Sequence, residues 1–480
     1  MTLPELLYGP AEPPRGRRLL LISYHFPPGQ ATGALRWQKL AALAAGRGWG
    51  VDAFCAHPDE LPAVDPSRLA ELPAGTRVFG VRSPASRGSG WVARAVERSA
   101  EVLGRSRRGG GREAAPTAVP AAVDLVYREA LRWSPRPRAL LRTWRARRSF
   151  AEDGAWAHAA GAAAQRLADP ARHAAVVSCG PPHMAHVAAA RAAARLGLPL
   201  VVDMRDPWSH VPALPASIAS PAWYRAAARH EREVVRSAAV VAANTLPARD
   251  ALRLAYPAAA ARVIAVMNGC DDEPVPAAAR GERFTVAYAG NIYIDRDPRP
   301  FFRAAAAFAR AAGLGPERFA VELVGHVDAF GGVPVARLAD EAGVGAYVHV
   351  LSRRPRAEAM RVLAGAAVLL SLPQDVDLSV PSKLFEYMQF PAWILALARA
   401  GSATERLLRG TAADVLDPAD EAGIEAALLR SWRRFERGEA PRPLNADGRF
   451  GRAAQAALLF DALDAAVGGA PSAPAAERAA

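Results

Sequence analysis

Lysine is almost missing from this chain. Of 60 basic residues only Lys39 and Lys383 are lysines, so nearly all the positive charge sits on guanidinium groups. Cysteine is scarce as well. Cys55, Cys179 and Cys270 stand far apart with no ligand spacing, which argues against a disulfide framework and a zinc site and fits a reducing cytoplasm. No apolar run reaches the roughly 18 residues that a membrane-spanning helix needs, so none is expected. The opening MTLPELLYGPAEPPRGRRLLLISY places Pro and Glu before a short apolar run, unlike a signal peptide. The dinucleotide fingerprint G-x-G-x-x-G is also missing, and Cys55 rather than an acidic residue closes the second expected strand. A nicotinamide-dependent enzyme is thereby disfavoured.

What is present reads as a soluble α/β protein. The 480 residues exceed one typical domain, so two are expected, each with its own core. Hydrophobic residues make up 51% and charged residues 22%. Alanine and arginine dominate, a bias that speaks of nucleotide composition more than of function. The formal net charge of +13 favours polyanions, anionic membrane surfaces or phosphorylated substrates. Much of that charge is concentrated between Ser83 and Arg148, in SRGSG, GRSRRGGGRE and WSPRPRALLRTWRARRS. The Gly/Ser/Arg part is expected to be a flexible loop. Val123 to Phe150 is expected as one or two amphipathic helices that either cover their own domain or lie on a membrane surface.

Short apolar runs alternate with helical patterns on both sides of this segment. Leu19–Ser23, a glycine-containing loop, a helix over Ala34–Ala45 and Val51–Cys55 begin a parallel sheet. The alternation resumes with AAVVS (174–178), PLVVD (199–203), AAVVAAN (238–244) and RVIAVMN (262–268). After the polar linker Asp271–Gly281 it restarts with FTVAYAG (284–290), FAVELVG (319–325), YVHVLS (347–352), AAVLLSL (366–372) and AWILAL (392–397). Asp447–Val467 carries a helical pattern, and the tail GGAPSAPAAERAA reads as disordered.

In open parallel sheets ligands bind beyond the carboxyl ends of the strands, so the residues there are the candidates. The first strand is followed by HFPPGQATGALR, where Gly29 and Gly33 precede a helix and allow backbone amides to face a phosphate; a tight turn without a ligand is the alternative. His183 follows the AAVVS strand, and Arg205 and Asp206 follow PLVVD, either as substrate contacts or as a local ion pair. In the second half Gly290, Asn291 and Arg296 follow the first strand. Asp375 and Asp377 form a D-x-D tripeptide, read as loop or sugar contacts rather than metal ligands. Ser382, Lys383 and Glu386 lie in SVPSKLFEY, at the start of a helix. A lysine in a chain that otherwise uses arginine points to a compact ammonium at an anion site, with chance usage as the alternative.

The pieces SYHFPPGQATGALRWQKLAALAAGRGWGVDAFCA, DMRDPW, VMNGCDD, AYAGNIYIDRDPRPFFRA and VPSKLFEYMQFPAWILAL, in this order, resemble the GT-B nucleotide-sugar glycosyltransferases of the family-four, retaining type. They span most of the chain except the basic insertion and the tail. The resemblance implies two Rossmann-like, doubly wound parallel-sheet domains facing across a cleft. Residues 1–270 would be the acceptor-side domain, with an insertion at 83–148. Residues 271–445 would be the donor domain, and 446–480 a helix returning to the first domain followed by the tail. Gly29, Gly33, Arg205, Arg296, Lys383 and Glu386 are expected to converge on the cleft.

By motif position Arg296 and Lys383 would meet the donor diphosphate and Glu386 the ribose hydroxyls, with Gly29, Gly33, Gly290, Asn291 and Ser382 completing the donor site. Arg205 and Asp206 join Arg296 and Lys383 as catalytic candidates, and His183, Asp375 and Asp377 are candidate sugar contacts. No metal and no cofactor are expected beyond the nucleotide-diphosphate sugar itself. The expected partners are that donor, a saccharide or lipid-linked acceptor and an anionic membrane surface, with no nucleic acid. The expected location is the cytoplasm, on the inner face of the plasma membrane. Two departures stand out. The earlier member of the family's glutamate pair, seven intervening residues before Glu386, falls on Leu378, so Asp375 or Asp377 takes its role or the sugar is held differently. Arg205 stands where many relatives carry histidine. The expected activity is transfer of a sugar to a cell-envelope or exopolysaccharide-type acceptor with retention. A GT-B epimerase and a non-catalytic nucleotide-sugar-binding partner are the alternatives.

Overall fold

Leu19–Ile22 are all fully buried, as a strand enclosed on both faces requires. They lie at the centre of one of the two large sheets in the computed structural model, which describes residues 4–84, 125–128, 131, 136–271, 273–276, 281–292, 296–372 and 377–468. The chain forms two compact units. The first comprises Met1–Asn244, Arg249–Ala265 and Leu458–Ala480, the second Thr245–Ala248 and Val266–Ala457.

The first unit holds β1 (Glu5–Tyr8), β2 (Arg17–Ser23), β3 (Trp49–Ala56), β4 (Arg77–Val81), β5 (Leu125–Tyr127), β6 (His173–Gly180), β7 (Leu200–Met204), β8 (Ala213–Pro215), β9 (Val240–Ala243) and β10 (Val263–Ala265). Eight of them form one sheet in the order β1-β4-β3-β2-β6-β7-β9-β10. All neighbours are parallel except β1, which pairs antiparallel with β4. The chain winds outward one way through β3 and β4 and the other way from β6. The order therefore reverses between β2 and β6, the place where a doubly wound sheet opens a ligand crevice.

The segment before β6 differs from expectation. Leu125–Tyr127 is a strand paired antiparallel with Ala213–Pro215, and the helix begins only at Arg136 and continues to Leu167. Alanine supplies the reason for the extension: Ala157, Ala160, Ala163 and Ala164 are buried, and a Cβ on Gly161 would stand 3.2 Å from that of Ala188 in the helix Met184–Leu196. Small residues let the two helices approach closely, so tertiary packing carries the helix beyond the basic stretch. The run GRSRRGGGRE, the tail from residue 469 and Asp375 lie outside the described residues.

The second unit holds β11 (Phe284–Asn291), β12 (Phe319–His326), β13 (Ala329–Phe330), β14 (Val333–Pro334), β15 (Val348–Leu351), β16 (Val368–Ser371), β17 (Trp393–Leu397) and β18 (Asp414–Leu416). Its six-stranded sheet runs β15-β12-β11-β16-β17-β18, parallel throughout. Phe284, Phe301, Phe302, Phe308, Phe319 and Trp432 build the core between this sheet and the helices Arg299–Ala312 and Glu421–Glu436. The C-terminal helix starts at Arg452, five residues later than the sequence pattern begins, and ends at Gly468. Among the described residues no helix is long and apolar enough to cross a membrane.

Under the amino ends of β2, β3 and β4 lies a buried charge cluster. The Asp52 carboxylate is fully enclosed and accepts from Arg18, from Arg77 and from His173 Nε2 at 3.1 Å. Burial alone would raise the Asp52 pKa; the hydrogen bonds from His173, Arg77 and Arg18 overcome it and hold the carboxyl well below its ordinary value. A depressed folded-state value means that this stabilisation is complete above the unfolded value of about 4 and is lost as pH falls below it. Replacing Asp52 with Asn leaves two buried cations without a counter-charge. Denaturant unfolding at pH 7 should show Asp52→Asn less stable by about 3–5 kcal/mol; a loss below about 1 kcal/mol would mean that the arginines find other partners.

Candidate functional site

Strand register decides which residues of the first unit share the carboxyl edge. Ser23 pairs with Cys179, Gly180 with Met204 and Met204 with Ala243. The next residues in each strand therefore stand side by side: Tyr24 and His25, Pro181 to His183, Arg205, and Asn244. His25 and Asn244 were not among the sequence candidates: the loop after the first strand had supplied Gly29 and Gly33 but not His25, and no candidate was taken from the end of AAVVAAN.

Arg205 and Gly33 are in contact. A Cβ on Gly33 would fall 2.7 Å from Cζ of Arg205, so the guanidinium occupies the space that any other residue would fill. Arg205 also donates from Nε to the carbonyl of Gly180 at 3.4 Å. The Gly29 amide closes a turn onto the carbonyl of Phe26 at 2.9 Å and is used up locally. Asp206 reaches solvent, yet loss of hydration raises its carboxyl pKa, an effect that Arg205 and Arg36 only partly offset.

Behind this edge is a layer of neutral imidazoles. His183 stacks on Trp208 at 5.0 Å, and Trp208 stacks on His230 at 6.2 Å. Burial, then His186, then Arg205 push the His183 pKa far down, and burial followed by Arg205 brings His25 to about 4. The loop after β7 is tied down by Glu231, which is fully buried and accepts from the Ser209 amide at 2.9 Å, the Ser209 hydroxyl at 2.8 Å and the Tyr256 hydroxyl at 2.7 Å.

In the second unit the candidates gather at the end of β11. Gly290 pairs with Gly325, whose φ of +123° and lack of Cβ leave room for the Gly290 carbonyl. Arg296 donates to the carbonyl of Asn291 at 3.0 Å, and the Tyr288 hydroxyl donates to the same oxygen at 2.9 Å. The helix carrying Lys383 and Glu386 is only six residues long, Ser382–Tyr387, and Ser382 is its exposed first residue. Tyr387 keys it to the sheet: its hydroxyl accepts from the Ala289 amide at 2.7 Å and donates to the Ala289 carbonyl at 3.2 Å.

Glu386 lies between two cations. Arg356 donates to Oε1 at 2.8 Å, and Lys383 Nζ stands 3.7 Å from Oε2. Arg356 also stands 3.6 Å from Glu273. Sequence reasoning missed Arg356, although the run RRPR directly after YVHVLS placed it at another strand end. Asp377 is exposed. Leu378, at the position of the missing glutamate, is engaged through its backbone, its carbonyl accepting from the Thr245 hydroxyl at 2.6 Å. No cluster of three or more His, Cys, Asp or Glu arranged to hold a metal occurs among the described residues.

No protein-family model matches the sequence, and no curated protein is significantly similar to it. Solved structures are similar over nearly the whole chain. A UDP-forming α,α-trehalose-phosphate synthase from Burkholderia vietnamiensis is 13% identical with a TM-score of 0.55, over 95% of this chain and 100% of that one. Anabaena HepE, solved with UDP and glucose, is 13% identical with a TM-score of 0.53, over 94% of this chain and 100% of its own. The sucrose-phosphate synthase of Thermosynechococcus elongatus is 14% identical with the same TM-score and coverage. The fold is GT-B. At this level of identity the likeness extends to the fold, and the two parallel sheets expected from the sequence are its two Rossmann-like domains.

The imidazole layer gives a measurable consequence. In NMR titration His25 should stay neutral down to about pH 4. Arg205→Gln removes one of the two causes of the depression, so the His25 pKa should rise while staying below the ordinary value of about 6.5, because burial remains. An unchanged His25 titration in that variant would show that the Arg205 charge does not reach the imidazole.

Proposed function

We propose that this protein is a glycosyltransferase that moves a sugar from a nucleotide diphosphate to a cell-envelope or exopolysaccharide-type acceptor, with retention of configuration. The observation that carries the reading is the arrangement of Lys383, Glu386 and Arg356 beside the end of β11 in the second sheet of a GT-B fold. The solved structure of HepE contains UDP and glucose, and the trehalose-phosphate synthase is UDP-forming.

The chemistry follows from charge. Cleavage at the anomeric carbon drives negative charge onto the departing diphosphate. Lys383, half-exposed on the first turn of its helix, and Arg296 at the end of β11 supply fixed positive charge there. Such preorganised groups stabilise the transition state more than the ground state. Glu386 is an acceptor for the ribose hydroxyls, which do not change during reaction. The reading gives the diphosphate's charge to these side chains and calls for no metal and no cofactor.

The two roles separate in kinetics. Lys383→Ala should lower kcat by on the order of 100-fold if it acts as one oxyanion donor does. Glu386→Gln should chiefly raise KM for the donor, as uniform binding is lost. Lys383→Arg keeps the charge but replaces a compact ammonium with a planar fork, and it should be clearly impaired. Normal kinetics in all three variants would overturn the donor-site assignment. A thermal-shift panel identifies the base, since a ligand at 100 times its Kd adds about 2.7 kcal/mol.

The reading also takes in a membrane surface. On the helix Arg136–Leu167, Leu140, Leu141 and Trp144 are 72%, 48% and 52% exposed beside Arg142, Arg145, Arg147 and Arg148. Apolar side chains flanked by guanidinium groups suit an anionic lipid interface, which would bring a lipid-linked acceptor to the enzyme. Each basic residue near such a surface contributes about 1 kcal/mol. Co-sedimentation with vesicles containing anionic lipid should weaken with salt and with Leu140→Ser/Trp144→Ser. Equal binding to neutral and anionic vesicles, or to neither, would count against a lipid interface.

A further inference from the structure

Four polar groups at or just behind the carboxyl edge of the first sheet have no protein partner for the atoms that matter. The Nη1 and Nη2 atoms of Arg205 make no hydrogen bond and no ion pair among the described residues; its side chain is held only through Nε. Asn244 Oδ1, His183 Nδ1 and His186 Nε2 are buried and also unpartnered. Buried polar atoms are ordinarily paired, and each one left unpaired carries a desolvation penalty. By register Arg205 stands directly between the end of β6, which leads to His183, and Asn244 after β9.

The groups differ in kind. Arg205 offers a planar fork of donors, suited to two oxygens of one oxyanion. Asn244 Oδ1 is an acceptor, suited to a hydroxyl. The surrounding imidazoles are neutral, so they neither repel an anion nor compete for it: His25 titrates near 4 and His183 far below its ordinary value. The missing side chain of Gly33 places the fork, since the guanidinium lies where a Cβ would be.

We propose that this edge is the acceptor subsite and that it selects an anionic sugar, with the phosphate or carboxylate on Arg205 and hydroxyls on Asn244 and His183. The proposal rests on the glycosyltransferase reading and narrows its acceptor class. The shared chemistry is an oxyanion attached to a polyol. Phosphate and carboxylate are its two sources.

The test is calorimetric titration of the full chain, with and without UDP, using glucose, glucose 6-phosphate and glucuronate as probes. At least one anionic sugar should bind about tenfold or more tightly than glucose, the effect of a charge-assisted hydrogen bond. The anionic sugar that gains names the source. Arg205→Gln should abolish the gain. Gly33→Ala should abolish it too, because the new Cβ evicts the guanidinium without removing its charge, while alanine favours the helix. Gly46→Ala, at the other end of that helix where a Cβ meets nothing, should keep it. Equal binding of all three sugars, binding of none, or a gain that survives in Arg205→Gln would overturn the proposal. A wild type that binds no UDP would instead defeat the transferase reading, and the sugar preference would still be read from the titrations without UDP.

Discussion

One buried ion pair sets the geometry of the first unit's edge. Asp203, the fourth residue of β7, is fully enclosed, and Arg36 holds it with Nε at 2.9 Å and Nη2 at 2.8 Å while Trp37 donates from Nε1 at 2.8 Å. Arg36 and Trp37 lie on the helix that follows β2, and Asp203 lies on the strand that carries Arg205. Gly33 is three residues before Arg36, and Arg205 is two residues after Asp203. Clamping the helix to β7 therefore brings the bare face of Gly33 against the guanidinium of Arg205. Burial raises the Asp203 pKa and Arg36 more than reverses it, so the carboxylate stays ionised and the clamp closed. A buried charge pair of this kind adds little net stability over a well-packed apolar pair, but it is strict about geometry, and breaking it is costly.

The second unit solves a different problem with the same economy of elements. A six-residue helix has little intrinsic stability, and Ser382–Tyr387 is held by what it touches. Leu384, Phe385 and Tyr387 are buried, and Tyr387 hydrogen-bonds both polar groups of Ala289. Lys383 and Glu386, next to these anchors on the same helix, are half-exposed and largely covered respectively, with their positions already decided. Arg356 shares Glu386 with Lys383. Here the distinction between the two kinds of cation matters. Arg356 reaches Glu386 through Nη1 at 2.8 Å while its Nη2 stands 3.6 Å from Glu273, spanning two carboxylates, whereas the ammonium of Lys383 stands back from Glu386 at 3.7 Å, its donors not committed to a short contact.

Much of the fold was legible because parallel strands announce themselves. Each of the runs from Leu19 to the AWILAL segment became a strand within a few residues of its expected place, since strands covered on both faces must be apolar throughout. Among the strands that escaped, Glu5–Tyr8 and Asp414–Leu416 lie at sheet edges and are only partly buried, so that demand is weaker there, while Arg77–Val81 is buried throughout but opens on a charged residue. The start of the long helix was misplaced because composition suggested an amphipathic element from Val123, whereas Leu125–Tyr127 is drawn into pairing with Ala213–Pro215, almost ninety positions away. The site divides in the same way. Position after a strand singled out Gly33, Arg205 and Arg296 but passed over His25, Asn244 and Arg356. Pairings were not found either: Arg36 with Asp203, or Arg356 with Glu386, are separated by 167 and 30 positions, and no local pattern encodes such a pairing.

Gly33 shows how a local rule and the overall structure can disagree to some purpose. It sits in the first turn of a helix, where glycine is less favourable than alanine by up to about 1 kcal/mol. Its φ lies outside the left-handed region that glycine alone occupies freely, so the backbone does not demand it. Propensity therefore argues for alanine, and only the position of Arg205 argues against. Departures of this sort, where a sequence forgoes local stability without a conformational reason, collect where something must be held in place. His183, His186 and Asn244 likewise each keep a buried polar atom without a partner among the described residues, a desolvation cost that an apolar side chain would not carry. Glycine where alanine would serve the helix, and polar groups where apolar ones would serve the core, meet at a strand-end cluster that also carries a guanidinium held only through Nε among the described residues. Each is a small local cost, and the costs fall on neighbouring strand ends of one sheet.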